Sequence, residues 1–122
     1  MPYSPLAGGA LTGKYKPGKP PPEGSRGALK PEFFKRHNFE WDDPFNLKVI
    51  EGLENLSKEM GKPMLQIALA WLLANPAITA PVIGPTSVEQ LEENVAATEL
   101  KLTEAELEKI DKISPRKGPY FT

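Results

Sequence analysis

Only two segments of this chain have the composition of β-strands, and two long helical patterns lie between them. The first is the apolar opening, residues 1–6; the second is residues 80–84, where Val82 and Ile83 are bounded by Pro and Gly. Strands that alternate with helices predict parallel βα units. Two strands can neither close a barrel nor cover both faces of a sheet, so the sequence predicts an incomplete α/β fold in which helices predominate.

Four helical patterns follow Asp43, whereas the preceding third of the chain is rich in Pro, Gly and charge. The patterns run from Pro44 to Met60, from Pro63 to Leu73, from Ser87 to Val95 and from Thr103 to Ile113. The second is apolar over most of its circumference, which predicts burial on more than one side. Gln90 and Glu106 stand three residues after Ser87 and Thr103, so both of the last two helices are expected to begin with a capping box.

Composition excludes several function classes. The formal net charge of −1, without a basic cluster, argues against a nucleic-acid partner. The chain has no Cys, and His37 is its one His, so no metal site built on these ligands is expected. The longest apolar run is too short to span a bilayer and the first residues do not resemble a signal peptide, so we expect a cytoplasmic protein without a membrane partner.

Two loops follow the strand candidates, and both suit an anion. In residues 4–15, glycines allow close backbone approach and Lys14 supplies a cation, although a Gly-rich connection without a ligand has the same composition. Gly8, Gly13 and Lys14 also fit the start of a P-loop, but Tyr15 stands where that motif needs Ser or Thr. Residues 84–87 lead into a helix N-terminus, which attracts phosphate, and simple N-capping is the alternative there.

Three segments carry a family resemblance. They are Tyr3-Ser4-Pro5-Leu6-Ala7-Gly8-Gly9 with Leu11-Thr12-Gly13-Lys14-Tyr15, then Gly61-Lys62-Pro63 with Gln66-Ile67-Ala68-Leu69-Ala70-Trp71, and then Val82-Ile83-Gly84-Pro85-Thr86-Ser87 with Glu89-Gln90-Leu91-Glu92-Glu93-Asn94. Together they resemble the strand-seven loop, penultimate helix and strand-eight motif of aldo-keto reductases, especially the branch that includes potassium-channel β-subunits. The resemblance implies that residues 1–122 are a partial aldo-keto reductase domain, the C-terminal portion of a (β/α)8 TIM barrel, with about two strands and four helices. Complete barrels take ~250 residues.

The same resemblance implies a nicotinamide cofactor, NADP(H), held by both loops. The implied cofactor-binding residues are Tyr3, Ser4, Pro5, Leu6, Ala7, Gly8, Lys14, Arg26, Gly84, Thr86, Gln90, Glu93 and Asn94. The first loop would line the pyrophosphate, with Lys14 and Arg26 as its cationic partners and Tyr3 near the nicotinamide. Gly84 and Thr86 would flank the 2′-phosphate, and the last three residues would contact the ribose and adenine.

The family's catalytic Asp, Tyr, Lys and His lie on earlier strands, so the resemblance assigns no catalytic residue to this chain. His37 is not expected to transfer protons, and Trp41 could cover a substrate or pack a loop. We therefore expect the cofactor-binding portion of an NADP(H)-dependent reductase that is inactive alone and whose full-length parent reduces aldehydes or ketones. The alternatives are a self-associating nucleotide-binding protein, which would be a homo-oligomer, or a structural remnant without catalysis.

Overall fold

The computed structural model describes residues 1–30, 32, 34, 40 and 42–115. Helices dominate these residues: α1 (Arg26–Leu29), α2 (Pro44–Met60), α3 (Met64–Leu73), α4 (Val88–Val95) and α5 (Glu104–Ile113). Two 3₁₀ segments, Ala7–Thr12 and Ala96–Glu99, lie between them in the chain or before them. The four longer helices, α2 to α5, lie where the sequence predicted them.

The ends of α2 follow from its local sequence. Asp43 Oδ1 accepts hydrogen bonds from the N–H groups of Phe45 at 2.9 Å and Asn46 at 3.3 Å, and Pro44 at the first position lacks an N–H that would need a partner. Gly61 ends the helix in the left-handed conformation, with φ 62°. Both boundaries agree with the sequence prediction.

The N-terminus of α5 has the complete capping box that its sequence predicted. The Thr103 N–H donates to Glu106 Oε2 at 2.8 Å, and the Glu106 N–H donates to Thr103 Oγ1 at 3.2 Å. Two N–H groups that the helix itself cannot satisfy are paired in this way.

In place of the two predicted strands, the described residues have one parallel bridge, between Tyr3 and Val82. The pairing does not extend into a ladder among these residues. The Val82 N–H donates to the Pro2 carbonyl at 2.8 Å. Pro81 has no N–H to give to a ladder, and Ser4 has φ 56°, outside the extended region, so the pairing stops on both sides. The prediction of two strands is therefore wrong in extent, although their pairing and its parallel sense are present.

Helix α3 lies at the centre of the described structure. Its buried residues are Met64, Leu65, Ile67, Ala68, Leu69 and Ala70. It packs against α2, α4 and both 3₁₀ segments, so the predicted burial on more than one side is confirmed. One face enters the larger apolar cluster with Ile50, Leu53 and Ile110 of α2 and α5, and the other enters a small cluster with Ala97.

Candidate functional site

The bridge between Tyr3 and Val82 places the two predicted loops side by side. In a parallel pair both segments run in the same direction, so the residues that follow each of them leave at the same end. Residues 4–15 follow Tyr3, and residues 84–87 follow Val82 after Ile83. Leu6 and Ile83 also pack in the same small cluster, which joins the two loops at their base.

The first loop has a strained backbone at its start. Ser4 and Ala7 have φ values of 56° and 49°, and Gly8 and Gly9 follow with 67° and 99°. Hydrogen bonds from the Ala7 N–H to the Ser4 carbonyl at 3.0 Å and from the Gly9 N–H to the Leu6 carbonyl at 2.9 Å close two tight turns. Left-handed non-glycine residues are unfavourable, and such strain concentrates where proteins bind ligands.

Two side chains anchor this loop to the core. Leu6 packs against Leu65 and Leu69 of α3, and Ala10 is fully buried in the larger cluster. The predicted site residues around these anchors remain accessible: Ser4, Pro5, Ala7 and Gly8 are half-buried and Tyr3 is exposed. The loop is therefore fixed by its apolar side while the residues around the anchors stay partly open to solvent.

Lys14 lies over the backbone of this loop. A Cβ placed on Gly9 would stand 3.1 Å from Lys14 Cε and 3.2 Å from its Nζ, so the ammonium group lies directly beside the glycine. Lys14 is exposed. A positive charge therefore stands next to the strained turn, as an anion site requires.

Arg26 is tied to the same loop through Tyr15. The buried Tyr15 hydroxyl accepts a hydrogen bond from the Gly27 N–H at 3.0 Å and donates to the Gly8 carbonyl at 3.4 Å. Arg26 directly precedes Gly27 and begins α1, which the buried Ser25 caps. The second predicted cation thus belongs to a helix that packs against the glycine-rich turn.

In the second loop, Thr86 and Gln90 are brought together. The Thr86 N–H and hydroxyl both donate to Gln90 Oε1, at 2.9 and 3.1 Å, and the Gln90 N–H donates to Ser87 Oγ at 3.2 Å. Ser87 therefore caps α4, but the Gln90 side chain bonds to Thr86 instead of the Ser87 N–H. The predicted capping box is half formed, because the Gln90 amide oxygen accepts from the N–H and the hydroxyl of Thr86. Gly84 is exposed beside it.

The other two predicted residues lie at the far end of α4. Gln66 of α3 donates through Nε2 to the Glu93 carbonyl at 3.2 Å, which holds this end of α4 against the core. The Glu93 side chain is exposed and Asn94 is half-buried.

Glu89 adds a negative charge in the first turn of α4. Hydrogen bonds from its own backbone N–H, and then from the Ser87 hydroxyl, hold the pKa of its carboxyl below the ordinary value of 4.5. A carboxylate is favourable at this end of a helix because the exposed N–H groups carry partial positive charge.

The structure thus gathers the predicted residues into two groups. Tyr3 to Gly8 lie with Lys14 and, through Tyr15, with Arg26, whereas the remaining residues lie along α4 and the loop before it. Sequence reasoning assigned no role to Tyr15 or Gln66, although both stand inside the family motifs. Two features of the sequence could have indicated these roles: Tyr15 is an aromatic residue next to a loop lysine, and Gln66 is a polar residue in an apolar helix.

Some sequence hypotheses concern residues outside this site. The described residues contain no group of three or more His, Cys, Asp or Glu side chains that could hold a metal ion. None of the described helices combines the length and the apolar character needed to cross a membrane. His37 and Trp41 lie outside the described residues.

The chain belongs to the aldo/keto reductase family, whose family model matches residues 1–115. It is 37% identical over 116 residues to an uncharacterized oxidoreductase, YrpG, of Bacillus subtilis, covering 95% of this chain and 32% of that protein. It is 35% identical to a probable voltage-gated potassium channel subunit beta of Arabidopsis thaliana, covering 91% and 34% of the two chains. L-glyceraldehyde 3-phosphate reductase of Escherichia coli K12 is 36% identical, with 89% and 31% covered.

These relatives confirm the family resemblance that the three motifs indicated. The chain spans about a third of the length of the curated relatives it matches. The oxidoreductases and channel β-subunits among them agree with the branch to which the motifs pointed.

Proposed function

We propose that this chain is the cofactor-binding C-terminal portion of an NADP(H)-dependent aldo-keto reductase, a TIM-barrel enzyme of the cytoplasm. One observation carries the proposal: the parallel bridge at Tyr3 and Val82 makes both anion-suited loops leave the same end of the pair. Ligand sites of α/β proteins lie at the carboxyl ends of their strands. A single dinucleotide can therefore reach both loops.

In this proposal the first loop holds the pyrophosphate. The backbone of residues 4–8 approaches it closely at the strained turn, Lys14 and Arg26 neutralise its charge, and the exposed Tyr3 ring lies near the nicotinamide. Charge-assisted hydrogen bonds to phosphate are roughly twice as strong as neutral ones. The cations should therefore contribute more to affinity than any uncharged residue of the loop.

The second loop and α4 hold the adenosine end. Gly84 and Thr86 flank the 2′-phosphate, and Gln90, Glu93 and Asn94 contact the ribose and adenine. The Thr86 and Gln90 side chains already bond to each other, which places both at the helix N-terminus where a phosphate is favoured. The nicotinamide cofactor supplies the hydride for carbonyl reduction when it is bound.

We further propose that the chain alone does not turn over substrate. Carbonyl reduction needs a proton donor within hydrogen-bond reach of the substrate oxygen, and the family resemblance assigns the catalytic Asp, Tyr, Lys and His to none of these residues. Reduction of an aldehyde or ketone is thus a property of the complete barrel.

Titration of the purified chain with NADPH, by calorimetry and by nucleotide fluorescence, tests the proposal. We expect saturable binding that Arg26→Ala weakens about tenfold or more, as expected for a lost hydrogen bond to a charged group. Asn94→Ala should also weaken binding, and an aldehyde should not be consumed. Lys58→Ala, which removes an exposed cation from the last turn of α2, is the matched control and should bind like the wild type.

An absence of binding at millimolar NADPH would contradict the proposal. Equal weakening by Arg26→Ala and Lys58→Ala would contradict it too, because the interaction would then reflect general charge attraction.

The second candidate is self-association, favoured by the apolar face of α4. Val88, Leu91 and Val95 share one side of this helix and are 66%, 43% and 53% exposed. Exposed apolar faces of this kind mark contact surfaces. Self-association through this face would give a homo-oligomer that binds nucleotide without catalysis; the remaining alternative is a structural remnant that binds none.

A further inference from the structure

Tyr15 is a buried phenol whose hydroxyl joins two separate segments. Only 1% of the residue is exposed, and its ring meets Phe34 edge to face with centroids 5.8 Å apart. The hydroxyl is bonded to Gly27 at 3.0 Å and to the Gly8 carbonyl at 3.4 Å. A buried hydroxyl needs such partners, but a Phe at this position would fill the same space without them.

The segments joined in this way carry the two cations of the proposed site. Lys14 precedes Tyr15 in the chain and lies over Gly9, one residue beyond Gly8. Arg26 precedes Gly27, whose N–H is the donor to Tyr15. One hydroxyl therefore fixes the backbone next to each cation relative to the same turn.

The contact at Gly27 is too close for any other residue. A Cβ there would stand 2.8 Å from Tyr15 Cε1 and 3.1 Å from Pro21 Cβ, although this glycine has no positive φ that would require it. The absence of a side chain lets α1 approach the phenol closely enough for the hydrogen bond to form.

We infer that Tyr15 is a positioning residue for cofactor binding: its hydroxyl holds Lys14 and Arg26 against the turn at residues 4–8 before a dinucleotide arrives. The inference rests on the proposed function. Tyr15 and Arg26 stand on either side of a Pro- and Gly-rich loop, and ordering such a loop at the moment of binding costs affinity. Ordering it beforehand removes that cost.

Tyr15→Phe tests this role, because it removes the hydroxyl and keeps the ring. We expect NADPH affinity to fall about fivefold or more, because both hydrogen bonds of the hydroxyl are lost, while circular dichroism and thermal unfolding show a folded chain. Ser57→Ala is the matched control: it also removes one hydroxyl, bonded to the Lys62 carbonyl at the end of α2, and it should leave affinity unchanged.

A double-mutant cycle with Lys14→Ala separates positioning from general stability. In the wild-type background we expect Lys14→Ala to weaken binding about tenfold. In the Tyr15→Phe background its effect should be clearly smaller, because the cation is then no longer held in place. An unchanged effect of Lys14→Ala, or wild-type affinity in Tyr15→Phe, overturns the inference while the proposed function stands.

Hydrogen exchange on the wild-type chain provides a measurement that does not depend on the variant folding. Saturating NADPH should slow exchange of the Gly27 amide, since binding and the Tyr15 contact stabilise each other. Unchanged Gly27 exchange in a chain that binds NADPH overturns the inference alone. A wild-type chain that binds no NADPH overturns the proposed function together with it.

Discussion

Gly9 is the residue at which backbone conformation and charge placement meet. Its φ of 99° is unfavourable for any side chain, and a Cβ would press on Lys14. We predict that Gly9→Ala lowers the free energy of unfolding by about 1–2 kcal/mol through the left-handed strain and also displaces Lys14, which weakens NADPH binding. Chemical denaturation and calorimetry measure the two effects.

Gly18→Ala is the control for this prediction. Gly18 also has a positive φ, 69°, but nothing lies within 4 Å of the Cβ that would be added. The Gly18→Ala variant should therefore be less stable but bind NADPH as tightly as the wild type. A loss of affinity as large as that of Gly9→Ala would show that strain alone, rather than the Lys14 contact, governs binding.

Glu89 is predicted to make the start of α4 sensitive to acid. Its carboxyl pKa lies below 4.5 in the folded chain, chiefly through its own backbone N–H and then through Ser87. A depressed folded-state pKa stabilises the fold above the unfolded-state value, and this contribution is lost as the pH falls through the folded-state value. A carbon-13 titration should therefore place the Glu89 midpoint below 4.5, and Ser87→Ala should raise it. A wild-type midpoint at or above that ordinary value would contradict the hydrogen bonds.

Among the helices, the contact between α2 and α5 depends on Gly52. A Cβ there would stand 2.7 Å from Cγ2 and 3.1 Å from Cγ1 of Ile113, and a β-branched side chain has little freedom to move away. We predict that Gly52→Ala destabilises the chain by about 1 kcal/mol: overpacking costs roughly 1–3 kcal/mol, and the better helix propensity of Ala returns about 1 kcal/mol. Denaturant unfolding measures the change.

Ile113→Ala provides the matched background for that measurement. It removes the two Ile113 atoms nearest to the added Cβ at position 52 and leaves only an ordinary contact with the Ile113 Cβ at 3.4 Å, so adding Gly52→Ala to it should stabilise the chain through helix propensity. The same sign of effect in both backgrounds would contradict the packing argument. The exposed ion pair between Lys109 and Glu59, which also joins these helices, should contribute less than ~1 kcal/mol.

The helices could be predicted because their determinants are local. Asp43 and Gly61 bound α2, and Thr103 with Glu106 begins α5, all within a few residues of the helices they fix. The strands could not be bounded in the same way, because strand length depends on partners distant in sequence. The left-handed backbone of Ser4 ends the pairing, and a serine in the sequence does not predict that conformation.

At the level of the whole molecule, the exposed face of α4 makes self-association testable. None of the residues of α4 is fully buried in the described structure, and Leu91 lies in the middle of its apolar side. We predict that Leu91→Glu lowers any oligomer to monomer in sedimentation equilibrium while NADPH affinity is kept. Glu51→Gln, on the exposed side of α2, is the control and should not change the mass. A mass unaffected by Leu91→Glu would exclude this face as the contact.

The residues of the candidate site come from the sequence and remain a prediction, whereas the contacts between them could not be predicted. The glycines and Lys14 of the first loop predicted an anion site from the residues themselves, and the family resemblance added Arg26. The hydrogen bonds of Tyr15 depend on packing between segments that are apart in the sequence. The bonds from Thr86 to Gln90 depend on which donors reach the Gln90 amide oxygen. Such contacts emerge only when the chain is folded.

A single cofactor site at the end of the parallel bridge is tested most directly by an NMR titration of the chain with NADPH that follows backbone amides in both loops. We predict that Gly8 and Gly9 in the first loop and Gly84 and Thr86 in the second shift together, with one common dissociation constant, because one dinucleotide spans both. Shifts confined to one loop, or two different dissociation constants, would contradict a single cofactor site at the end of the parallel bridge.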